Sequence, residues 1–445
     1  LGQVLSSGTV IYDMGGWPAP QGIEYRVDAL NAFVVLVVAI IAAVVSPYAG
    51  QSVTNEVPRR RLSMFYALYL LCYTGLLGMT LTGDMFDLFV FLEISSLSSY
   101  VLISLGRDRR ALTAAYQYLI MGTIGATFFL IGVGLLYATT GTLNMADMAD
   151  RLPRVDQART VLSGLAFIVA GLGLKAAVFP VHLWLPNAYT FAPSAVSAFI
   201  AATATKVAVY ALVRVLFSVF GVEFSFGAVP LQPLLVALSV VGIFATSLQA
   251  TRQYDAKKIL AYSSVAQVGY MMVGIAIATV TGVTAGLTHL FNHALMKGAL
   301  FLALGAVAYR IGSTGLVAMR GIGYSMPWTM SAFTIGGLSL IGVPLTAGFI
   351  SKWYLVQAAL ELGWWWLALA LLAASLIAVV YVWRIAEAVW FRDPEAPPDD
   401  VREAPLGLLV PVWVLALANI WFGLDTRWSL GVAEAAARAL LGGSP

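Results

Sequence analysis

Apolar runs about 20 residues long, the length that crosses a bilayer as a helix, recur along most of the chain. They fall near 29–47, 63–82, 85–105, 112–138, 162–180, 193–220, 231–250, 258–280, 283–309, 329–361, 364–390 and 405–424. None alternates apolar and polar residues at every second position, as a membrane β-barrel strand must. The pattern predicts an all-α polytopic membrane protein with about twelve transmembrane helices. Ahead of the first run, residues 8–28 (GTVIYDMGGWPAPQGIEYRVD) are rich in Gly, Pro and aromatic residues. They predict a short hairpin at the outer interface, where Trp17 and Tyr25 suit the headgroup zone.

Two runs are interrupted. The stretch 162–214 carries Pro180 and Pro186 inside apolar sequence, where each proline removes a backbone donor and pushes its predecessor out of helical geometry. The same stretch holds Lys175, His182 and Lys206, although an unpaired charge in a bilayer costs roughly 3 kcal/mol or more. The tenth run, GGLSLIGVPLTAGFISKWYLV, repeats the theme with Gly342, Pro344 and Gly348, followed by Lys352. A proline kink that only shapes packing is the alternative reading there. Taking five helices as a unit, 63–220 and 221–392 each place a broken helix fourth. Because five is odd, the second unit is inverted relative to the first, the arrangement in which transporters build ion sites near the bilayer midplane. The remainder is an outer hairpin plus first helix (1–62), and a loop plus last transmembrane helix (393–445).

The 445 residues are 60% hydrophobic and 11% charged, against about 25% charged in soluble domains. The net charge of +3 is small but unevenly spread. Arg59–Arg61, Arg107, Arg109, Arg110, Arg252, Lys257, Lys258, Arg310, Arg320, Arg384, Arg392 and Arg402 fall on odd-numbered connections, which the positive-inside rule makes cytoplasmic. Both ends then face outward. The single cysteine, Cys72, has no disulfide partner, and an iron–sulfur centre needs about four thiolates. GLGLK at 171–175 lacks the other residues of a phosphate-binding loop, no nucleic-acid signature is present, and the acidic loop 393–404 reads as a solvated connector. A chain beginning at Leu1 without a charged n-region shows no signal peptide and predicts further residues upstream.

Other titratable groups lie along two helices. Asp84 and Asp87 open the third run, and Glu93 follows six residues after Asp87, about 9 Å deeper along a helix. The aspartates complement a helix N-terminus, whereas a mid-span Glu93 needs a partner. His289, His293 and Lys297 are spaced four apart in HLFNHALMKGALFLALG and share one helix face. A haem iron takes axial ligands from opposite sides, so these histidines cannot both serve it, and neither cofactor nor metal is expected. A stack of titratable groups forming a proton wire and polar packing between helices stay as the two readings.

With Glu93, Lys175, Lys206, the HxWLPxA element from His182 to Ala188, AYSS at 261–264, HxxxHxxxK and GVPLTAGFISK in this order, the chain resembles the antiporter-like proton-conducting subunits. That family is shared by Mrp-type cation/proton antiporters, respiratory complex I and membrane-bound hydrogenases. The opening GGWPAPQGIEYRVDALNAF and the lysine at 352 look most like the D-type branch of the Mrp antiporters, though some complex I subunits share that lysine. The family usually has about fourteen helices, which implies that two N-terminal ones are absent from this sequence. The resemblance implies a proton relay of Glu93, Lys175, Lys206, His289, His293 and Lys352, with His182 and Lys297 as helpers and Pro180, Pro186 and Pro344 breaking the helices. It further implies a multi-pass subunit of a prokaryotic inner membrane, partnered by other membrane subunits, handling protons and Na+. The alternative within the family is a proton-pumping subunit of a complex I-type oxidoreductase or a hydrogenase.

Overall fold

The computed structural model describes residues 1–393 and 401–442; residues 394–400 of the expected connector lie outside them. A short helix α1 (Gly2–Ser7) precedes the strands β1 (Val10–Asp13) and β2 (Glu24–Val27). These pair antiparallel with Val10 opposite Val27 and Asp13 opposite Glu24, and so form the expected hairpin. The helices that follow are α2 (Ala29–Glu56), α3 (Leu62–Leu81), α4 (Met85–Ser104), α5 (Arg110–Thr140), α6 (Met145–Arg151) and α7 (Ala158–Lys175). Next come α8 (Trp184–Phe191), α9 (Ser194–Ala202), α10 (Ala204–Val213), α11 (Leu231–Thr251), α12 (Ala256–Ile277) and α13 (Val280–Ile311). The chain continues through α14 (Ile322–Ser325), α15 (Pro327–Ile341), α16 (Ala347–Glu361), α17 (Trp365–Trp390), α18 (Leu406–Leu424) and α19 (Arg427–Leu440).

Polar residues set the helix starts. Asp28 accepts from Leu30 N and Asn31 N while Asn31 returns a bond to Asp28 N, a reciprocal cap for α2. Asp84 caps α4 by accepting from Phe86 N at 2.8 Å and Asp87 N at 2.9 Å. Asp255 and Thr279 do the same for α12 and α13.

Among the described residues eleven helical segments are long and apolar enough to cross a membrane. The remaining expected run, the tenth at 329–361, is two helices of 15 residues each, α15 and α16, and each alone reaches only about 22 Å. Between them Gly342 and Leu345 take positive φ values of 92° and 70°. Gly348 lies so close to α15 that a Cβ there would collide with Ser339 O. The earlier break spans 176–183, between α7 and α8, and contains Pro180. Pro186 does not break a helix. It sits in the first turn of α8, where its missing N–H would have no intrahelical partner anyway.

Burial separates centre from periphery. The central windows of Ser194–Val219 and α12 are 94% buried and that of α13 is 78% buried, whereas the other spans reach 33–56%. α13 packs against α2, α9, α12, α15, α16, α18 and α19. The 14-residue α19 buries Ser429, Val432, Ala433, Ala436 and Ala437, spaced along one face. Its Trp428 ring lies among Phe33, Phe291 and Phe422, with centroids 5.8–6.0 Å away.

Candidate functional site

Each helix break leaves backbone carbonyls without an intrahelical donor, and lysines gather at these ends. Lys175 is the last residue of α7 and is 6% exposed. Its Nζ donates to Ser96 Oγ at 2.6 Å and Tyr100 Oη at 3.1 Å, both on α4, and lies 3.6 Å from Glu93 Oε1. The Glu93 side chain is 22% exposed, but its Oε1 is buried on the face of α4 that it shares with Ser96 and Tyr100. In the α7–α8 break, the Trp184 indole donates to Leu174 O at 3.0 Å and so caps α7. Tyr118 stacks flat on Trp184 at 3.8 Å. His182 is buried in the same break with its ring 5.4 Å from that of Phe179.

A third break separates α9 from α10 at Thr203, whose φ and ψ are −125° and −57°. Lys206 Nζ turns back to donate to Ala201 O, and Thr205 Oγ1 lies 3.4 Å away. A cavity of about 20 Å³ lies between Lys175 and α10, lined by Ser95, Ser96, Ser99, Tyr118, Ala204 and Ala208. That volume is enough for one water. By helical period Lys206 projects away from Ala204 and Ala208, toward α13, where it acts electrostatically on His289, His293 and Lys297.

The row continues along α13. Lys297 Nζ donates to Leu260 O at 2.8 Å and Ser263 Oγ at 2.5 Å on α12. The His293 ring is fully buried, has no hydrogen-bond partner and lies 6.2 Å from His289, nearly parallel to it. His289 places Nε2 2.9 Å from Gln267 Oε1 and Nδ1 2.8 Å from Ser351 Oγ. Tyr270 comes next, its ring centroid 5.7 Å from that of His289 and 4.7 Å from Lys352 Nζ. Lys352 Nζ donates to Leu340 O at 3.0 Å, Ile341 O at 2.9 Å and Ser375 Oγ at 3.2 Å. It thus caps the C-terminus of α15, the negative end of that helix dipole. The sequence singled out the charged members and His182; Ser96, Tyr100, Gln267, Tyr270 and Ser375, which help to hold them, it did not, and Ser263 and Ser351 entered only as parts of the AYSS and GVPLTAGFISK motifs.

Beside the N-terminal hairpin Arg214 Nη1 and Nη2 form two bonds to Asp28, at 2.7 and 2.9 Å, and Nη2 donates to Asn31 Oδ1 at 2.6 Å. These line a cavity of about 590 Å³ with Arg26, Thr82, Met145, Asp150 and the C-terminal part of α19. Burial alone would raise the Asp28 carboxyl, but the Arg214 guanidinium and the amides of Asn31 and Leu30 outweigh it and hold Asp28 below its ordinary value. The stabilisation is complete above the ordinary carboxylate range, near pH 4, and is lost as pH falls through the depressed folded-state value. Thermal unfolding in detergent is therefore expected to show wild type losing an acid-side increment of stability that Arg214→Gln lacks from the start. Parallel pH curves for the two proteins would contradict it.

Broken helices meeting buried lysines inside a multi-pass helical bundle define a transporter-type membrane protein. Residues 82–378 match the transmembrane NADH:quinone oxidoreductase/Mrp antiporter family, and the chain belongs to that family. It is 44% identical over 428 residues to the N-type subunit of the NADH-quinone oxidoreductase of Desulforudis audaxviator, covering 93% of this chain and 84% of that one. It is 33% identical over 444 residues to the D-type subunit of the Na(+)/H(+) antiporter of Bacillus subtilis, covering 98% and 87%. A chain in the structure of the Mrp complex from Dietzia sp. DQ12-45-1b superposes with a TM-score of 0.90 at 27% identity, covering 99% of this chain and 89% of that one.

Proposed function

We propose that this chain is the proton-translocating subunit of a multisubunit Mrp-type Na+/H+ antiporter in a prokaryotic inner membrane, where other membrane subunits flank it. The observation that carries the reading is the row from Glu93 and Lys175 through Lys206, Lys297, His293 and His289 to Lys352, with Glu93 paired to Lys175 and the buried lysines and histidines held by hydroxyls, carbonyls or a neighbouring ring. Residues 63–220 and 221–392 act as two half-channels, each with a lysine at its helix break. Separation of Glu93 from Lys175 releases a proton from the Lys175 ammonium to water in the adjoining cavity. It then passes the Thr203 break to the Lys206 amine. His182 borders the first break as a helper, and Lys297 links Lys206 to the histidines. The breaks at Pro180 and Pro344 admit water. A proton donor and acceptor must come within about 3 Å, directly or through one water; Lys175, Lys297, His289 and Lys352 each have a hydroxyl at such a distance, in Ser96, Ser263, Ser351 and Ser375, and water completes the steps to Lys206 and His293.

The 44% identity to a quinone oxidoreductase subunit favours a second reading, a proton-pumping subunit of a complex I-type or hydrogenase assembly. Everted vesicles carrying the assembled complex separate the two. Dissipation of a preformed pH gradient on adding Na+ is the antiporter result. Acidification driven by an electron donor and quinone, with no response to Na+, would replace it with the redox reading.

A further inference from the structure

Lys257 belongs by sequence to the cytoplasmic charge cluster, yet it is only 5% exposed. Its Nζ donates to Ser194 Oγ at 3.0 Å at the start of α9. Ser194 N donates in turn to Glu56 Oε2 at 2.8 Å, and Ser52 Oγ donates to Glu56 Oε1 at 2.9 Å. Glu56 and Asp255 both act electrostatically on Lys257. This buried group opens to a cavity of about 220 Å³ at the arginine-rich face, whose lining also includes Arg107, Asp108 and Arg110. On its inner side, Leu260 is one turn further along α12, about 4.5 Å of rise, and Leu260 O and Ser263 Oγ are the groups that hold Lys297.

We infer that Lys257, set between Glu56 and the Lys297 site, is the proton-loading residue through which the row exchanges protons with the arginine-rich face. The Lys257 ammonium gives one proton through water and the Ser263 hydroxyl to the Lys297 amine, which becomes the ammonium. Water in the 220 Å³ cavity returns a proton to the Lys257 amine, so each transfer moves one proton inward and leaves Lys257 as it began. Glu56, Asp255 and Asp108 supply the negative charge that keeps a cation favourable at this depth, and Arg107 and Arg110 oppose it.

The inference rests on the proton-relay reading, and the test separates the two. In the assembled complex, K257R keeps the charge but arginine does not release its proton, so transport is expected to fall about a hundredfold. K257H, which titrates near neutral pH, restores transport with its optimum moved to lower pH. Wild-type rate and pH profile for K257R, beside an inactive K175A, would overturn the inference alone; wild-type rates for both would overturn the relay reading beneath it. Should K257R fail to assemble, the K257H profile decides, and an unshifted optimum counts against the inference.

Discussion

Lys175→Ala is expected to abolish proton-coupled transport by the assembled complex while the subunit still inserts and assembles. The side chain donates to Ser96 Oγ and Tyr100 Oη and lies 3.6 Å from Glu93 Oε1, and Ala removes the amine that carries the proton among them. A positioned proton carrier contributes about 10²–10⁴-fold to a transfer rate, so the residual rate falls at or below the leak of empty vesicles. Glu93→Gln removes the counter-charge but leaves an oxygen, and a smaller loss follows. Fluorescence recovery in everted vesicles, normalised to assembled complex, measures both. Transport at wild-type rate in Lys175→Ala would end the assignment of a relay to this row.

Lys352→Met is expected to lose both transport and stability, because Lys352 has two tasks. As a cap it satisfies Leu340 O and Ile341 O at the end of α15, and each buried carbonyl left without a donor costs about 1–3 kcal/mol. As the last titratable group of the row it hands protons onward. Lys352→Arg separates the tasks: its guanidinium still reaches the carbonyls but stays charged. Thermal stability of the purified complex should therefore drop for Met and be largely kept for Arg, with transport lost in both. A transporting Lys352→Arg would confine Lys352 to the structural task.

The membrane helices are legible in the sequence because hydropathy over about 20 residues is a strong signal. The 329–361 run is legible as interrupted, since Gly342 and Pro344 both disfavour helix, but its division into two 15-residue pieces is not. Pro186 misleads because proline disrupts a helix interior yet opens a helix well, and only the position of the first turn distinguishes the two. α19 escapes notice because its apolar face is built largely from alanines, which barely raise a hydropathy average.

The charged members of the site stand out because charge inside apolar sequence is costly. Their hydroxyl partners do not, since Ser96, Ser263 and Ser375 read as ordinary small residues for helix packing. Lys257 reads as cytoplasmic surface by its place in a connection, and nothing local in AKKIL tells the buried lysine from the partly buried Lys258 beside it. Which of the two turns inward depends on where α2 ends and α9 begins, information that lies far away in the chain.

The bonding of Lys175 and Lys352 implies an arithmetic of hydrogens. An ammonium has three N–H donors and no acceptor, and each lysine faces three oxygens, Ser96, Tyr100 and Glu93 for one, Leu340, Ile341 and Ser375 for the other. A neutral amine has two hydrogens and a lone pair, so on departure of a proton one oxygen must be released or one hydroxyl must reverse and donate. At Lys175 two hydroxyls can reverse. At Lys352 only Ser375 can, because carbonyls never donate. Proton occupancy is thereby written into the orientation of a few O–H bonds and, when those are committed elsewhere, into whether the end of α15 stays latched.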